Sequence, residues 1–244
     1  MKTSLIAKHA ISLFAVLSFS FTAMAEGELE LVKESVQNII GQRSQISDVK
    51  LSPMEGVYEI TFGGRTMYAS QAGKHVLLGD VYDTERSISL SEEMKQAKSI
   101  ELMQTMPESE MIVFGDDSAK RTITVYTDVD CGYCQKLHQE VPALVDAGVK
   151  VRYLWYPRAG IGSDSYKKAV SVWCAEDQLA AMDNAKLKRS FTNDSCDPNP
   201  VASQYESGQR VGVRGTPTIV VDDGTIIGGY LPAKGLLERL GLGG

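Results

Sequence analysis

The sequence has no basic run, no cysteine in its first 130 residues and, beyond its first 25 residues, no apolar run long enough to cross a membrane. Nucleic acids and anionic membrane surfaces are bound by clustered lysine and arginine, so the missing basic run and the net charge of −6 argue against both. The chain also lacks internal repeats and low-complexity segments, and 43% of its 244 residues are hydrophobic. We therefore expect a folded chain with a packed core and no nucleic-acid partner.

The first 25 residues have the features of a cleavable signal peptide. A short basic start is followed by an apolar run from Ala10 to Phe21 and by the small-residue site Ala23-Met24-Ala25. The apolar run is shorter than the about 20 residues that a membrane-spanning helix needs, which disfavours an anchor. We expect cleavage after Ala25, export, and a mature chain that begins at Glu26.

Residues 26–88 have the pattern of a small α+β domain. Apolar side chains recur at helical spacing over residues 28–40, and short strand-like runs follow, with a turn predicted at Gly63-Gly64. A unit of this size buries little surface alone and often needs a partner, and the edges of a small sheet can pair with a second copy. The pattern is equally consistent with dimerisation through this domain and with packing on the rest of the chain.

Residues 89–107 have the pattern of a linker helix between two domains. Ser89 and Glu92 are spaced as a capping box, and Pro107 follows the helical pattern. Methionine, alanine and isoleucine recur at helical spacing from Met94 to Met103. We interpret this apolar stripe as a packing surface and not as a ligand site.

Residues 108–244 have the pattern of an α/β domain. Two strands, Met111–Phe114 and Arg121–Thr127, are predicted on either side of a polar turn. A helix over Gln135–Ala147 and a strand over Val149–Tyr156 follow, which makes a βαβ unit with a parallel pair of strands. A largely helical region, a β-hairpin and a closing helix complete the predicted domain.

The four cysteines of the chain are Cys131, Cys134, Cys174 and Cys196. Exported cysteines usually pair, and four of them allow three connectivities. The Cys-x-x-Cys pair most naturally closes on itself, which leaves Cys174 and Cys196 as a structural disulfide or, alternatively, as a second redox pair. Because Cys131 lies at a strand-to-helix junction, the helix N-terminus favours its thiolate, the reactive form of cysteine. We therefore predict thiol–disulfide exchange at Cys131 with Cys134 as its partner.

Two other uses of a Cys-x-x-Cys motif are disfavoured. A structural zinc site needs a second pair of ligands, and Cys174 and Cys196 are not spaced as one. His138 is expected one turn further along the same helix, where we interpret it as packed or exposed. Haem attachment needs histidine directly after the second cysteine, and this chain has Gln135 there. We therefore expect neither a metal nor another cofactor.

The order of these elements resembles the thioredoxin fold, with Cys-Gly-Tyr-Cys at 131–134 and Thr216-Pro217 before a hairpin and a last helix. With the signal peptide and the N-terminal domain, and with Trp173-Cys174 and Ser195-Cys196-Asp197, the chain is similar to the DsbC/DsbG family of exported disulfide isomerases. The resemblance implies a thioredoxin-like fold with a helical insertion, preceded by a cystatin-like dimerisation domain and a linker helix. It also implies that Pro217 is a cis proline beside the cysteine pair.

The resemblance further implies a periplasmic thiol:disulfide isomerase. Cys131 would attack non-native disulfides in misfolded exported proteins, Cys134 would resolve the product, and Gly132 and Tyr133 would tune the redox poise. Thr216-Pro217 would offer a backbone edge to the substrate. The family also implies a homodimer with a chaperone-like cleft and a DsbD-type membrane reductase as partner. The alternatives are a DsbG-like protein-thiol reductase or holdase, and a dithiol oxidase.

Overall fold

The computed structural model describes residues 27–42, 44–63 and 65–243. The predicted signal peptide, its cleavage after Ala25 and Gly64 of the predicted turn lie outside these residues. Within the described ranges, every helix is either too short or too polar to span a bilayer.

The chain divides into two compact units, and the first of them ends at Gly79. This unit contains a helix α1 over residues 27–40 and a four-stranded antiparallel sheet with its strands in chain order. Val32 and Val36, one turn apart on α1, are buried with Ile60 and Met67 of the sheet, so the helical spacing does mark a buried face. The four strands are β1 (Ile46–Leu51), β2 (Val57–Phe62), β3 (Arg65–Ser70) and β4 (Val76–Leu77).

The second unit, Asp80–Gly244, begins with a two-stranded ribbon and a helix. Strands β5 (Tyr82–Asp83) and β6 (Ile88–Ser89) pair with each other, and helix α2 (Leu90–Gln104) follows. The side chain of Ser89 accepts a hydrogen bond from the N–H of Glu92, so the predicted helix start is correct.

Helix α2 is attached to the rest of its unit through small polar side chains and not through the predicted apolar stripe alone. Ser91 and Ser99 are its buried residues, whereas Ala97 of the stripe is exposed. The hydroxyl of Ser99 donates to the carbonyl of Gly224 over 2.7 Å. Met103 packs at the edge of a buried cluster. A serine occupies little volume, which lets the helix backbone approach the turn at Gly224 closely.

The five-stranded sheet of the second unit has the order β11-β10-β8-β9-β7. Strands β8 and β9 are parallel, as the βαβ pattern predicts, and the other pairs are antiparallel. The two strands predicted around a polar turn, β7 and β8, are not neighbours. The crossover places β9 beside β8, so β7 pairs with the far edge of β9. The strands are β7 (Ile112–Phe114), β8 (Arg121–Thr127), β9 (Val149–Trp155), β10 (Thr218–Val221) and β11 (Ile226–Gly228).

The helix predicted over Gln135–Ala147 is wrong in its start and in its continuity. Helix α3 begins at Gly132, and Glu140 separates it from α4, because Pro142 has no N–H to continue the hydrogen-bond ladder. Beyond β9, the region predicted to be largely helical consists of several short helices. The helices are α3 (Gly132–Gln139), α4 (Val141–Asp146), α5 (Asp164–Trp173), α6 (Gln178–Asp183), α7 (Val201–Val211) and α8 (Ala233–Arg239), with a 3₁₀ turn at Glu108–Glu110 and a π-helical turn at Asn184–Lys188.

Strand β8 is the central element of this unit, with Ile123 and Val125 buried in its main core. Its register brings distant segments to one edge of the sheet. Thr218, the first residue of β10, lies opposite Tyr126, because β10 runs antiparallel to β8. Residues 216–217 therefore lie beside the loop that leaves the carboxyl end of β8.

Gly224 offers a test of the packing between α2 and the β10–β11 turn. It has φ +84°, and a Cβ there would clash with the carbonyl oxygen of Gln96. We expect Gly224→Ala to lower the free energy of unfolding by about 2 kcal/mol or more, from left-handed backbone strain and overpacking. Gly228→Ala is the control, because a Cβ at Gly228 has no neighbour within 4 Å among the described residues. Equal denaturation midpoints for the two variants would contradict this packing.

Candidate active site

The cysteine pair lies where β8 ends and α3 begins. Cys131 is the N-cap of α3, with φ −84° and ψ 117°, so its sulfur is beside the free N–H groups of the first helical turn. The backbone N–H of Cys131 donates to the carbonyl of Asp128 over 3.2 Å, which closes the loop that precedes the helix. Both thiols are free and buried. The predicted strand-to-helix position of the motif is therefore what the structure shows.

The neighbours of Cys131 favour its thiolate. A hydrogen bond from the Cys134 thiol makes the largest contribution, and the side chain of Thr216, the backbone N–H of Cys134 and the charge of Arg158 act in the same direction. Burial opposes them, and the net effect lowers the pKa of Cys131 to about 5. A free cysteine has a pKa of about 8.5 and is mostly protonated at neutral pH. Cys131 is therefore a thiolate under conditions in which a free cysteine is a thiol.

Cys134 has the opposite character. It lies on the first turn of α3 and is only 1% exposed. Burial raises its pKa, and its hydrogen bond to the Cys131 thiolate raises the pKa further. The two adjacent sulfurs therefore share a hydrogen bond whose proton belongs to Cys134. The pair consists of an ionised sulfur at Cys131 and a protonated thiol at Cys134.

The Thr216-Pro217 segment contacts the cysteine pair directly. Its peptide bond is cis, and the carbonyl of Thr216 lies 3.1 Å from the sulfur of Cys131. The hydroxyl of Thr216 is buried and has no conventional hydrogen-bond partner in the described part of the chain. The Thr216 side chain helps to lower the pKa of Cys131. The structure thus brings together the two segments that the sequence singled out.

Two aromatic rings lie at the rim of the site. Tyr133 is 59% exposed, and its ring stacks on that of Tyr230 with centroids 6.0 Å apart. The hydroxyl of Tyr230 donates to the carboxylate of Glu140, which lies between α3 and α4. Sequence reasoning did not identify Tyr230, because nothing local to residue 230 indicates that the turn after β11 returns to α3.

A buried polar layer supports the loop before Cys131, and sequence reasoning missed most of it. The buried carboxylate of Asp128 accepts from the backbone N–H of Arg158 over 2.9 Å and from its Nε over 3.1 Å. The side chain of Lys186 is also buried, and its Nζ donates to the hydroxyl of Thr127 and to the carbonyl of Asp128, each over 2.7 Å. Only the position of Asp128 close to the motif could have indicated its role.

The other two cysteines of the chain form a disulfide with each other. Cys174, at the C-terminal end of α5, is joined to Cys196 by a disulfide with Cα atoms 5.5 Å apart. His138 is on α3 with Cys134, as expected, but it is buried and hydrogen-bonded to Tyr153 and Asp183. Burial lowers the pKa of His138. It is a packed residue within the core.

Comparisons with known proteins find relatives along the whole chain. Residues 107–243 match the family model of a thioredoxin-like domain, and residues 20–92 match that of the disulfide bond isomerase protein N-terminal domain. The thiol:disulfide interchange protein DsbC of Escherichia coli (strain K12) is 33% identical over 237 residues, which cover 96% of this chain and 95% of that protein. DsbC of Haemophilus influenzae is 34% identical over 192 residues, covering 79% of this chain and 82% of that protein.

Among solved structures, the thiol-disulfide exchange protein alpha-DsbA2 from Wolbachia pipientis has a similar fold. The match has a TM-score of 0.51 and 15% identity, and it covers 65% of this chain and 98% of that one. At this identity the likeness concerns the fold alone. Together with the two family models, it confirms the predicted thioredoxin-like fold and the separate N-terminal domain.

The hydrogen bond between the two thiols can be tested at Cys134. We expect the thiolate absorbance of Cys131 in the reduced protein to titrate with a midpoint near pH 5. Cys134→Ala should raise that midpoint, because it removes the principal donor to the thiolate. Cys134→Ser is the matched control, since its hydroxyl can still donate, and its midpoint should stay lower than that of the alanine variant. Equal midpoints in all three proteins would show that the Cys134 side chain does not stabilise the thiolate.

Proposed function

This chain belongs to the DsbC family of thiol:disulfide interchange proteins, and we propose that Cys131 is the nucleophile with which it rearranges non-native disulfides in exported proteins. The observation that carries the proposal is the asymmetry of the pair, with a thiolate at Cys131 above a protonated thiol at Cys134. Thiol–disulfide exchange needs an attacking thiolate at ambient pH, and it needs a second thiol that does not compete for the substrate.

The reaction begins with the reduced pair. The Cys131 thiolate attacks one sulfur of a substrate disulfide, a bond forms between the two sulfurs, and the other substrate sulfur leaves as a thiolate. In isomerisation, a different substrate thiolate attacks the mixed disulfide and regenerates the Cys131 thiolate, without net oxidation. In reduction, Cys134 attacks Cys131 instead, the substrate leaves as a thiol, and the Cys131–Cys134 pair loses two electrons.

The surroundings of Cys131 suit a substrate chain of variable sequence. Thr216 presents its backbone next to the nucleophile, which allows an extended substrate segment to pair with it by main-chain hydrogen bonds. The exposed ring of Tyr133, stacked on Tyr230, adds an apolar surface beside the reacting sulfur. Main-chain pairing and aromatic contact require no fixed side-chain sequence in the substrate. An added Cβ at Gly132, the residue next to Cys131, meets no atom within 4 Å among the described residues, so this side of the motif is uncrowded.

The disulfide between Cys174 and Cys196 is proposed to be structural. Its loop spans 22 residues, and closing a loop of this length contributes about 3 kcal/mol in the chain-entropy account. A role as a second redox pair would require it to be reduced during the cycle. The proposed cycle uses only the electrons of Cys131 and Cys134.

We place this chemistry in the periplasm, after removal of the predicted signal peptide at Ala25. Each reduction leaves the Cys131–Cys134 pair oxidised, so a reductant must restore the dithiol. A DsbD-type membrane reductase is the proposed source of those electrons. The redox state of the pair in its own compartment distinguishes the alternatives, since an isomerase or reductase is kept mostly reduced and a dithiol oxidase mostly oxidised.

We propose that the N-terminal unit joins two copies of the chain. Exposed leucines lie in or next to the two edge strands of its sheet, β1 and β4. Leu51 at the end of β1 is 69% exposed, Leu77 in β4 is 56% exposed, and Leu78 directly after it is 71% exposed. Unpaired sheet edges with apolar side chains favour association with a second copy. A dimer would carry two Cys131 sites in one particle, which suits the binding of misfolded, apolar substrates.

Replacement of the nucleophile separates catalysis from binding. We expect Cys131→Ala to abolish the recovery of a scrambled, disulfide-bonded substrate, because no thiolate remains to attack it. The measurement is the recovery of the substrate's own activity. Ser171→Ala is the control, because Ser171 is buried on α5 and is not part of the candidate site. Full recovery with Cys131→Ala would favour a holdase in which the thiols are incidental.

Replacement of the leucines tests the dimer. We expect Leu77→Asp combined with Leu78→Asp to convert a dimer into a monomer, because two carboxylates would be buried at the proposed contact. Sedimentation velocity gives the mass of the particle in solution. Leu187→Asp is the matched control, since Leu187 is 49% exposed and lies in the other unit. A monomeric unmodified protein, or a double variant that stays dimeric, would refute this contact.

A further inference from the structure

Lys186 is the most unusual charged residue near the proposed nucleophile. Its side chain is buried, at 2% exposure, in the π-helical turn Asn184–Lys188. Lysine is rarely buried without a carboxylate partner, because the loss of hydration penalises the ammonium form. In the described part of the chain, no carboxylate lies within ion-pair distance of this Nζ. Its hydrogen bonds go instead to Thr127 and to the carbonyl of Asp128.

Thr127 connects Lys186 to the cysteine pair. It is the last residue of β8, it is fully buried, and its hydroxyl lies 2.7 Å from the Nζ of Lys186. The side chain of Thr127 is also a neighbour of Cys134 and lowers the pKa of that thiol. A hydroxyl can accept one hydrogen while it donates its own. The Thr127 hydroxyl thus lies between the amine that it contacts and the thiol whose pKa it lowers.

Cys134 needs a nearby proton acceptor in the second half of the reductive cycle. Its thiol must lose a proton before its sulfur can attack Cys131, yet burial and the neighbouring thiolate raise its pKa. Once Cys131 is bound to a substrate, it no longer carries a negative charge and cannot accept that proton. An interior base within reach of Cys134 would remove the obstacle.

We propose that Lys186 is a positioning and proton-relay residue for the resolving cysteine, and that it receives the proton of Cys134 through the hydroxyl of Thr127. The inference rests on the proposed function, because it concerns the step that resolves the mixed disulfide. The Cys134 proton passes to the Thr127 oxygen as the Thr127 hydrogen passes to the neutral amine of Lys186. The electron pair left on the Cys134 sulfur attacks Cys131, the bond from Cys131 to the substrate breaks, and the substrate sulfur leaves as a thiolate.

The electrostatics around Lys186 are compatible with both of its protonation states. Burial lowers the pKa of the lysine, which makes the neutral amine accessible. Asp128 and Asp130 from the loop after β8, and Cys131 and Cys134 from α3, favour the ammonium form once a proton arrives. His138, also on α3, interacts with the same lysine. A thiolate formed at Cys134 would thus be stabilised by the ammonium that its own proton creates.

The experiment follows one turnover with oxidised glutathione as the probe. The reduced protein first forms a mixed disulfide between Cys131 and glutathione, and Cys134 then releases the second glutathione. Acid quenching and mass spectrometry distinguish the mixed disulfide from the closed Cys131–Cys134 disulfide at each time. Lys186→Met suits this test, because methionine fills a buried lysine site with an apolar chain of similar length.

We expect Lys186→Met to slow the second step about a hundredfold at neutral pH, at the lower end of general-base contributions, and to affect the second step far more than the first. The pH midpoint of the second step should also move upward, because Cys134 must then ionise without the amine. Thr127→Val, which removes only the bridging hydroxyl, should have the same two effects. Lys188→Met is the matched control, since Lys188 lies on the same turn and is exposed; it should leave both steps unchanged.

Each alternative outcome has a separate meaning. Resolution at the unmodified rate in Lys186→Met, or slower resolution with the same pH midpoint, would refute the relay and leave a structural role. The same conclusion follows if Thr127→Val has no effect on the second step. Failure of the unmodified protein to form the mixed disulfide at all would instead refute the proposed function of Cys131.

Discussion

The register of β8 at the centre of the five-stranded sheet is the constraint on which the candidate site depends. Its last residue, Thr127, lies beside Trp155 of β9, while Tyr126 lies opposite Thr218 of β10. A shift of one residue would turn every side chain of β8 to the opposite face. It would bury the wrong residues, separate Thr216 from Cys131 and remove the Thr127 hydroxyl from Cys134. The sheet thus positions the proposed nucleophile and its neighbours at the same time.

The chemistry of the site depends on where protons and charges reside among its buried groups. Cys131, Cys134 and Lys186 are all buried, so each charge must be compensated by a neighbouring dipole or charge and not by water. The Cys134 thiol stabilises the Cys131 thiolate, and this hydrogen bond holds the proton on Cys134. The same low-polarity setting lowers the pKa of Lys186. Local hydrogen bonds therefore make the first cysteine reactive against the effect of burial, whereas burial adds to the difficulty that the second one has to overcome.

In the proposed function, the second unit carries the chemistry and the first unit the assembly. The second unit contains every residue of the candidate site, and helix α2 is attached to it through the contact between Ser99 and Gly224. The first unit has a small core under α1 and exposed leucines at its sheet edges. A unit of this size buries little surface alone, which is consistent with the proposed association of two copies.

Local sequence patterns determined the fold class, the helix start at Ser89, the βαβ unit and the position of Cys131 at a helix N-terminus. Each of these depends on residues close together in the chain, where spacing and capping chemistry are decisive. The tertiary structure alone decided that β7 pairs with β9, that Tyr230 stacks on Tyr133 and that Lys186 reaches Thr127. Lys186 follows Thr127 by 59 positions. No local pattern distinguishes it from the exposed Lys188, because burial is a property of the packed elements around a residue and not of its neighbours in the sequence.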